Sequence, residues 1–170
     1  MKIKGRNIKT RVAGRVSALR NKLSRARYFR GHGVHSPFVY ALVRHVFMCD
    51  KLLSKDVSLY HDLLQVGVSQ HRAIELQNLF TFCGYARFGI NKADADLCIV
   101  TREQPPQQTL ALVSAAQQQG CTVAIMLPYG GHEREAMCGR IIADHPSTTV
   151  DNRGYLLIFN NYLPKQHFKV

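Results

Sequence analysis

A few clusters in this chain have the residue types and spacing that chemistry uses. His32 and His35 stand three apart in Arg30-Gly31-His32-Gly33-Val34-His35. Zinc accepts such a spacing, but no second Cys/His pair follows at finger-like distance. The stretch therefore reads as a turn that seats the next helix, and no metal is expected. His132-Glu133-Arg134-Glu135-Ala136 falls short of the H-E-x-x-H zinc helix, because alanine stands where the second histidine belongs. Its two glutamates suit a solvated helix start, near the positive end of the helix dipole. Gly130-Gly131 ahead of it offers backbone N–H groups to a phosphate, yet no Lys or Ser/Thr follows at P-loop spacing. Cys49, Cys83, Cys98, Cys121 and Cys138 are odd in number and include no C-x-x-C pair. They read as thiols of a reducing, cytoplasmic compartment, without a recognisable cysteine–histidine signature, so no catalytic residue is assigned.

Charge is the strongest compositional signal. The formal net charge is +12, and the first 49 residues hold twelve Lys and Arg with no Asp or Glu. From Asp50 onward eleven basic and eleven acidic side chains cancel. The chain thus divides into a basic helical arm, residues 1–50, and a charge-balanced body, residues 51–170. In the arm, Ile8, Val12, Val16, Leu19 and Leu23 form one apolar stripe at helical spacing, with Arg11, Arg15, Lys22 and Arg25 on the remaining surface. Those four cations are candidate anion-binding residues. Such a helix would cover nucleic-acid phosphates, lie on an anionic surface, or pack on the body and support self-association into a homo-oligomer. Tyr28 and Phe29 would stack on bases or anchor the arm to the core. No stretch approaches the ~20 apolar residues of a membrane span.

The elements that must position these residues follow from pattern. Ser36-Pro37 is an N-cap and first-turn pair for a helix carrying Val39, Leu42, Val43, Val46 and Phe47 inward and stopping near Asp50. Leu63–Val68 (LLQVGV) reads as a strand, Gln70–Phe82 as a helix, and Tyr85–Ile90 as a second strand. Leu97–Thr101 (LCIVT) is a third strand, followed by a helix from Pro105-Pro106 to about Gly120. Cys121–Leu127 (CTVAIML) is a fourth strand, and a helix runs from about Glu133 to Asp144. Thr148–Val150 and Tyr155–Phe159 are strands joined by the turn Asp151-Asn152-Arg153-Gly154. Alternating strands and helices with a closing hairpin predict an α/β fold, a mostly parallel sheet with a C-terminal antiparallel hairpin and an N-terminal helical arm.

Three of these segments together resemble a family. Gly31–Tyr40 (GHGVHSPFVY) is similar to the N-terminal signature of a group of bacterial class I S-adenosylmethionine-dependent methyltransferase-like proteins, which carry a variant of H-G-V-H-S-P-F. Leu63–Phe80 (LLQVGVSQHRAIELQNLF) resembles that family's first strand, glycine loop and first helix. Thr149–Phe168, ending in Lys165-Gln166-His167-Phe168, resembles its closing hairpin and K-Q-H-F terminus. The resemblance implies a Rossmann-like domain, S-adenosylmethionine as the cofactor if any is bound, and a cofactor loop at Gln65, Gly67 and Ser69, with His71 crowding it.

Departures from the family pattern are as informative. Gln65 replaces a glutamate, and the family's later glycine falls near Gln70 or His71. Thr101-Arg102-Glu103-Gln104 stands where an acidic D-G-x-H stretch belongs, and Leu127-Pro128 where paired aspartates belong. The segment between Phe82 and Asp94 is short and lacks the acidic residue that holds the cofactor ribose. The implied protein is a truncated, degraded methyltransferase-like chain, inactive or weakly active: a pseudoenzyme. Its rivals are a nucleic-acid-binding module that uses the basic helix, and an active methyltransferase with an atypical cofactor pocket.

Overall fold

A computed structural model describes residues 35–170. Arg11, Arg15, Lys22, Arg25 and His32 lie outside the described residues. The first described element is helix α1, Pro37–Leu42, which runs on into a π-helical turn at Val43–Phe47. Ser36 accepts from the Val39 N–H, and Pro37 fills the first turn, where a missing N–H costs nothing. Helix α2, Ser58–Gln65, and helix α3, Gln70–Phe82, follow. Strand β1 is Phe88–Ile90, β2 Leu97–Val100, helix α4 Pro106–Gln119, β3 Thr122–Met126, and helix α5 His132–Asp144. Strands β4, Thr149–Asp151, β5, Tyr155–Ile158, and β6, His167–Lys169, complete a six-stranded sheet in the order β1-β2-β3-β5-β4-β6.

The sheet is mixed, with five strands running one way and the hairpin strand β5 alone running against them. β1, β2 and β3 pair in parallel, β5 runs antiparallel to both β3 and β4, and β6 is parallel to β4. The hairpin at Asp151–Gly154 forms as its turn residues predict. Asp151 accepts from the Arg153 N–H, and Asn152 accepts from the Gly154 and Tyr155 N–H groups. The Lys165–Phe168 ending, for which no strand is predicted, supplies the edge strand β6.

Alternation along the central strands splits the core in two. Leu97, Ile99, Ala124, Met126, Tyr155 and Leu157 face one layer, which α1, α2 and α3 cover with Val39, Leu42, Leu59, Leu63, Leu76 and Leu79. Cys98, Val100, Val123, Ile125, Leu156 and Ile158 face the other, covered by Val113, Ala116, Met137 and Ile141 of α4 and α5. Both faces are dry, which is why LCIV and TVAIM are continuous apolar runs. The Pro37 helix shares the first of these cores, so it packs as part of the body.

One expected element is overturned. Leu63–Val68 is not a strand: Leu63, Leu64 and Gln65 end α2, and the chain then turns. Leu59 and Leu63, four apart, are fully buried, whereas Leu64 and Val66 are exposed. Short apolar runs do not separate strand from helix, and here the i, i+4 pair decides. Gly67, at φ +79°, then stops the helix. Its N–H bonds to the Leu64 carbonyl at 3.1 Å and the Val68 N–H to the Leu63 carbonyl at 2.9 Å, the paired bonds of a left-handed helix stop. The strand beside β2 is instead Phe88–Ile90, the latter half of the predicted Tyr85–Ile90.

Candidate functional site

A cleft of about 400 Å³ opens at the carboxyl ends of β2 and β3. In open α/β sheets this edge is where ligands bind, because crossover loops leave a crevice there. Four segments build the walls. Val66, Gly67, Val68 and Ser69 come from the α2–α3 turn, and Arg72 from the first turn of α3. Thr101, Arg102 and Glu103 follow β2, Met126 and Leu127 end β3, and Arg153 and Gly154 come from the β4–β5 turn.

Of the residues assigned from sequence to a cofactor loop, Gly67 and Ser69 line this cleft. Gln65 and His71 are exposed and do not. His71 instead leans on its own helix, with Nε2 3.2 Å from Glu75 Oε1. Ser69 is the N-cap residue of α3, yet its hydroxyl makes no capping bond.

The charged lining is mainly arginine, and each arginine is held differently. Arg72 donates to Glu75 at 2.6 Å, and its guanidinium lies 5.8 Å from the centre of the Tyr155 ring. Glu75 is only 2% exposed, and Asn152 Nδ2 also donates to it at 3.3 Å. Burial, reinforced by the Glu75 charge, raises the Tyr155 phenol well above its ordinary pKa. The stem of Arg72 passes over Gly154 so closely that a Cβ there would stand 2.6 Å from the guanidinium carbon. A side chain at position 154 would therefore push the Arg72 head group aside. Arg102 pairs with its neighbour Glu103 at 3.2 Å, both side chains largely exposed. Arg153 makes no ion pair among the described residues.

Backbone strain concentrates at the same edge. Asn91, Leu127 and Arg153 are the described non-glycine residues at positive φ, at 56°, 47° and 75°. Asn91 tolerates it and clamps the end of β2: its Oδ1 accepts from the Thr101 N–H at 2.9 Å, and its Nδ2 donates to Thr101 Oγ1 at 3.0 Å. Leucine and arginine have no such local compensation, so each costs about 1 kcal/mol to hold there. Leu127 is held by its N–H bond to the Gly154 carbonyl at 2.8 Å, which ties the β3 end to the β4–β5 turn.

Beneath the cleft, Arg134 of α5 is 8% exposed and lies among carbonyl oxygens. It donates to Met126 O at 2.9 and 3.1 Å, to Thr101 O at 3.0 Å, to Gln104 O at 3.1 Å and to Arg102 O at 3.4 Å. Burial lowers its pKa from the usual guanidinium value. Arg134 is therefore a strut joining the ends of β2 and β3, which places the Arg102 wall of the cleft.

Other sequence candidates are not brought to this site. Burial pushes the thiols of Cys83, Cys121 and Cys138 up to about 11 and Cys98 up to about 12, so they stay protonated at neutral pH. No group of three or more His, Cys, Asp or Glu among the described residues is placed to hold a metal. No helix among them is long and apolar enough to cross a membrane. Sequence reasoning missed Arg72, Arg153, Arg134 and Glu75 as site residues. Glu75 alone left a signal, a carboxylate amid the apolar positions Ile74, Leu76 and Leu79.

The molecule is thus an α/β protein with a mixed six-stranded sheet and an arginine-walled cleft at the carboxyl edge of its parallel strands. Comparison of the chain with protein-family models, curated proteins and solved structures gave no match.

Proposed function

We propose that the chain is a methyltransferase-like, truncated Rossmann-like scaffold whose cofactor cleft no longer serves S-adenosylmethionine. The observation that carries this reading is the charge of the cleft. Arg72, Arg102 and Arg153 line it; Glu75 neutralises Arg72 and Glu103 pairs with Arg102, so among the described residues the unpaired charge of the lining is the Arg153 cation. S-adenosylmethionine carries a sulfonium and an ammonium against one carboxylate and is a net cation. Two like unit charges about 6 Å apart cost roughly 0.7 kcal/mol in bulk water and roughly 3 kcal/mol at an effective dielectric of 20. A cleft with an excess of positive charge in its lining disfavours a net cation. Gly67 supports the same reading, because its left-handed backbone is used to stop α2.

Calorimetric titration of the full chain with S-adenosylmethionine and S-adenosylhomocysteine tests it. S-adenosylmethionine is not expected to bind, and the sulfonium-free S-adenosylhomocysteine measures how much of that exclusion is charge. Micromolar binding of the methylated cofactor overturns the proposal in favour of an active enzyme with an atypical pocket.

A second reading is favoured by one observation, the twelve Lys and Arg that precede the first acidic residue. On it, the basic arm engages nucleic acid and the body is its scaffold. Retention on DNA or RNA would then weaken steeply with salt and fall when Arg11, Arg15, Lys22 and Arg25 are replaced. Retention unaffected by those replacements removes this reading.

A further inference from the structure

We infer that the cleft beside Gly67 binds a small phosphomonoester with an apolar body, its dianion held between Arg102 and Arg153. The inference deepens the reading of this cleft as closed to a cationic donor and rests on the same lining. Arg102 and Arg153 enter from separate segments, the loop after β2 and the β4–β5 turn. Arg72 is neutralised by Glu75 at 2.6 Å and committed to the wall, so it shapes the site more than it charges it. The two outer arginines are available by different routes. Arg153 has no ion pair among the described residues. Arg102 holds only an adjacent, exposed glutamate, a contact that contributes little and exchanges readily for a better anion.

The rest of the lining describes the other half of the ligand. Val66, Met126 and Leu127 supply an apolar wall, and a volume of about 400 Å³ lies in the range of small-molecule sites. The Ser69 hydroxyl, unused as a cap, is a further donor at the rim. Arg153 sits at φ 75°, where glycine or asparagine would be relaxed. An arginine in that conformation, next to the glycine over which Arg72 passes, lines the cleft. Two guanidinium groups match the geometry of a phosphate better than two ammonium groups would, through paired N–H donors.

The test is calorimetric titration of the full chain with phenyl phosphate, inorganic phosphate and phenol at low and high salt. Phenyl phosphate is expected to bind at least tenfold more tightly than inorganic phosphate, with phenol silent and the affinity falling as salt is raised. Arg153→Gly and Arg102→Gln should each weaken phenyl phosphate tenfold or more. Arg153→Gly relaxes the backbone at its position, so the variant stays folded, which an unchanged or raised Tm verifies. Equal affinity for phenyl phosphate and inorganic phosphate overturns the inference. So does binding that survives both substitutions but is lost when Arg11, Arg15, Lys22 and Arg25 are replaced, because the arm is then the site. Silence toward phenyl phosphate and S-adenosylmethionine alike overturns this inference alone. Binding of S-adenosylmethionine with silence toward phenyl phosphate overturns it together with the reading beneath it.

Discussion

Replacing Arg134 with methionine should destabilise the body by about 2–4 kcal/mol. The guanidinium satisfies the Met126 and Thr101 carbonyls at 2.9–3.1 Å, and both residues are only 6% exposed. Methionine fills most of the volume but donates nothing, and backbone acceptors cannot be mutated away with their partner. The Met126 carbonyl loses both guanidinium donors and the Thr101 carbonyl keeps only the Gln104 N–H at 3.3 Å, and a buried carbonyl stripped of its donor costs roughly 1–3 kcal/mol. Part of that loss is offset because a charged group is no longer kept out of water. With a urea m-value of about 2 kcal/mol per molar, the midpoint should fall by about 1–2 M at unchanged slope. Urea titration followed by circular dichroism reads this directly. Arg134→Lys should fall between, since one ammonium reaches fewer of the four carbonyls. Arg140→Met, exposed on the same helix, should stay within about 0.5 kcal/mol of the parent. A methionine variant as stable as that control would refute the strut.

Two further predictions concern titratable groups. Asp96 Oδ2 accepts from the N–H groups of Arg87 at 2.9 Å and Ala86 at 2.8 Å, which hold its carboxyl below the usual aspartate pKa. A depressed folded-state pKa contributes stability that is present above the unfolded value, near 3.9, and is lost as the pH falls through the folded one. The Tm gap between the parent and Asp96→Asn should therefore be widest at pH 6 and close below about pH 4; a gap constant with pH contradicts this origin. For the thiols, brief iodoacetamide treatment of the native chain near pH 7.5 should leave Cys98, Cys121 and Cys138 unmodified, and urea should expose all five cysteines. Intact-mass and peptide spectra settle it, and early labelling of Cys98 would show that the second core is open.

How far the residues alone reach depends on how local the deciding interaction is. The helices at Gln70–Phe82, Pro106–Gln119 and His132–Asp144 were legible because prolines, glycines and apolar spacing act within a turn or two of the chain. LCIV and TVAIM were legible as strands because a run buried on both faces must be apolar throughout. LLQVGV was not, since its six residues suit either state until Leu59, upstream, joins Leu63 in the core. The edge strand at His167–Lys169 was missed because its length is only three residues and its pairing partner, β4, supplies most of its definition.

Composition and order determined the α/β character, the closing hairpin and the separation of a basic N-terminal stretch from a neutral body, all properties written in neighbouring residues. The cleft was decided by tertiary structure. Arg72, Arg102 and Arg153 are tens of residues apart, carry no shared motif, and meet only because the start of α3, the loop after β2 and the antiparallel β4–β5 turn come to one edge of the sheet. Arg134 acquires its role the same way, through carbonyls that become its partners once β2 and β3 lie side by side. Periodicity cannot encode such a meeting, because it records what one segment buries and not which segment it will face.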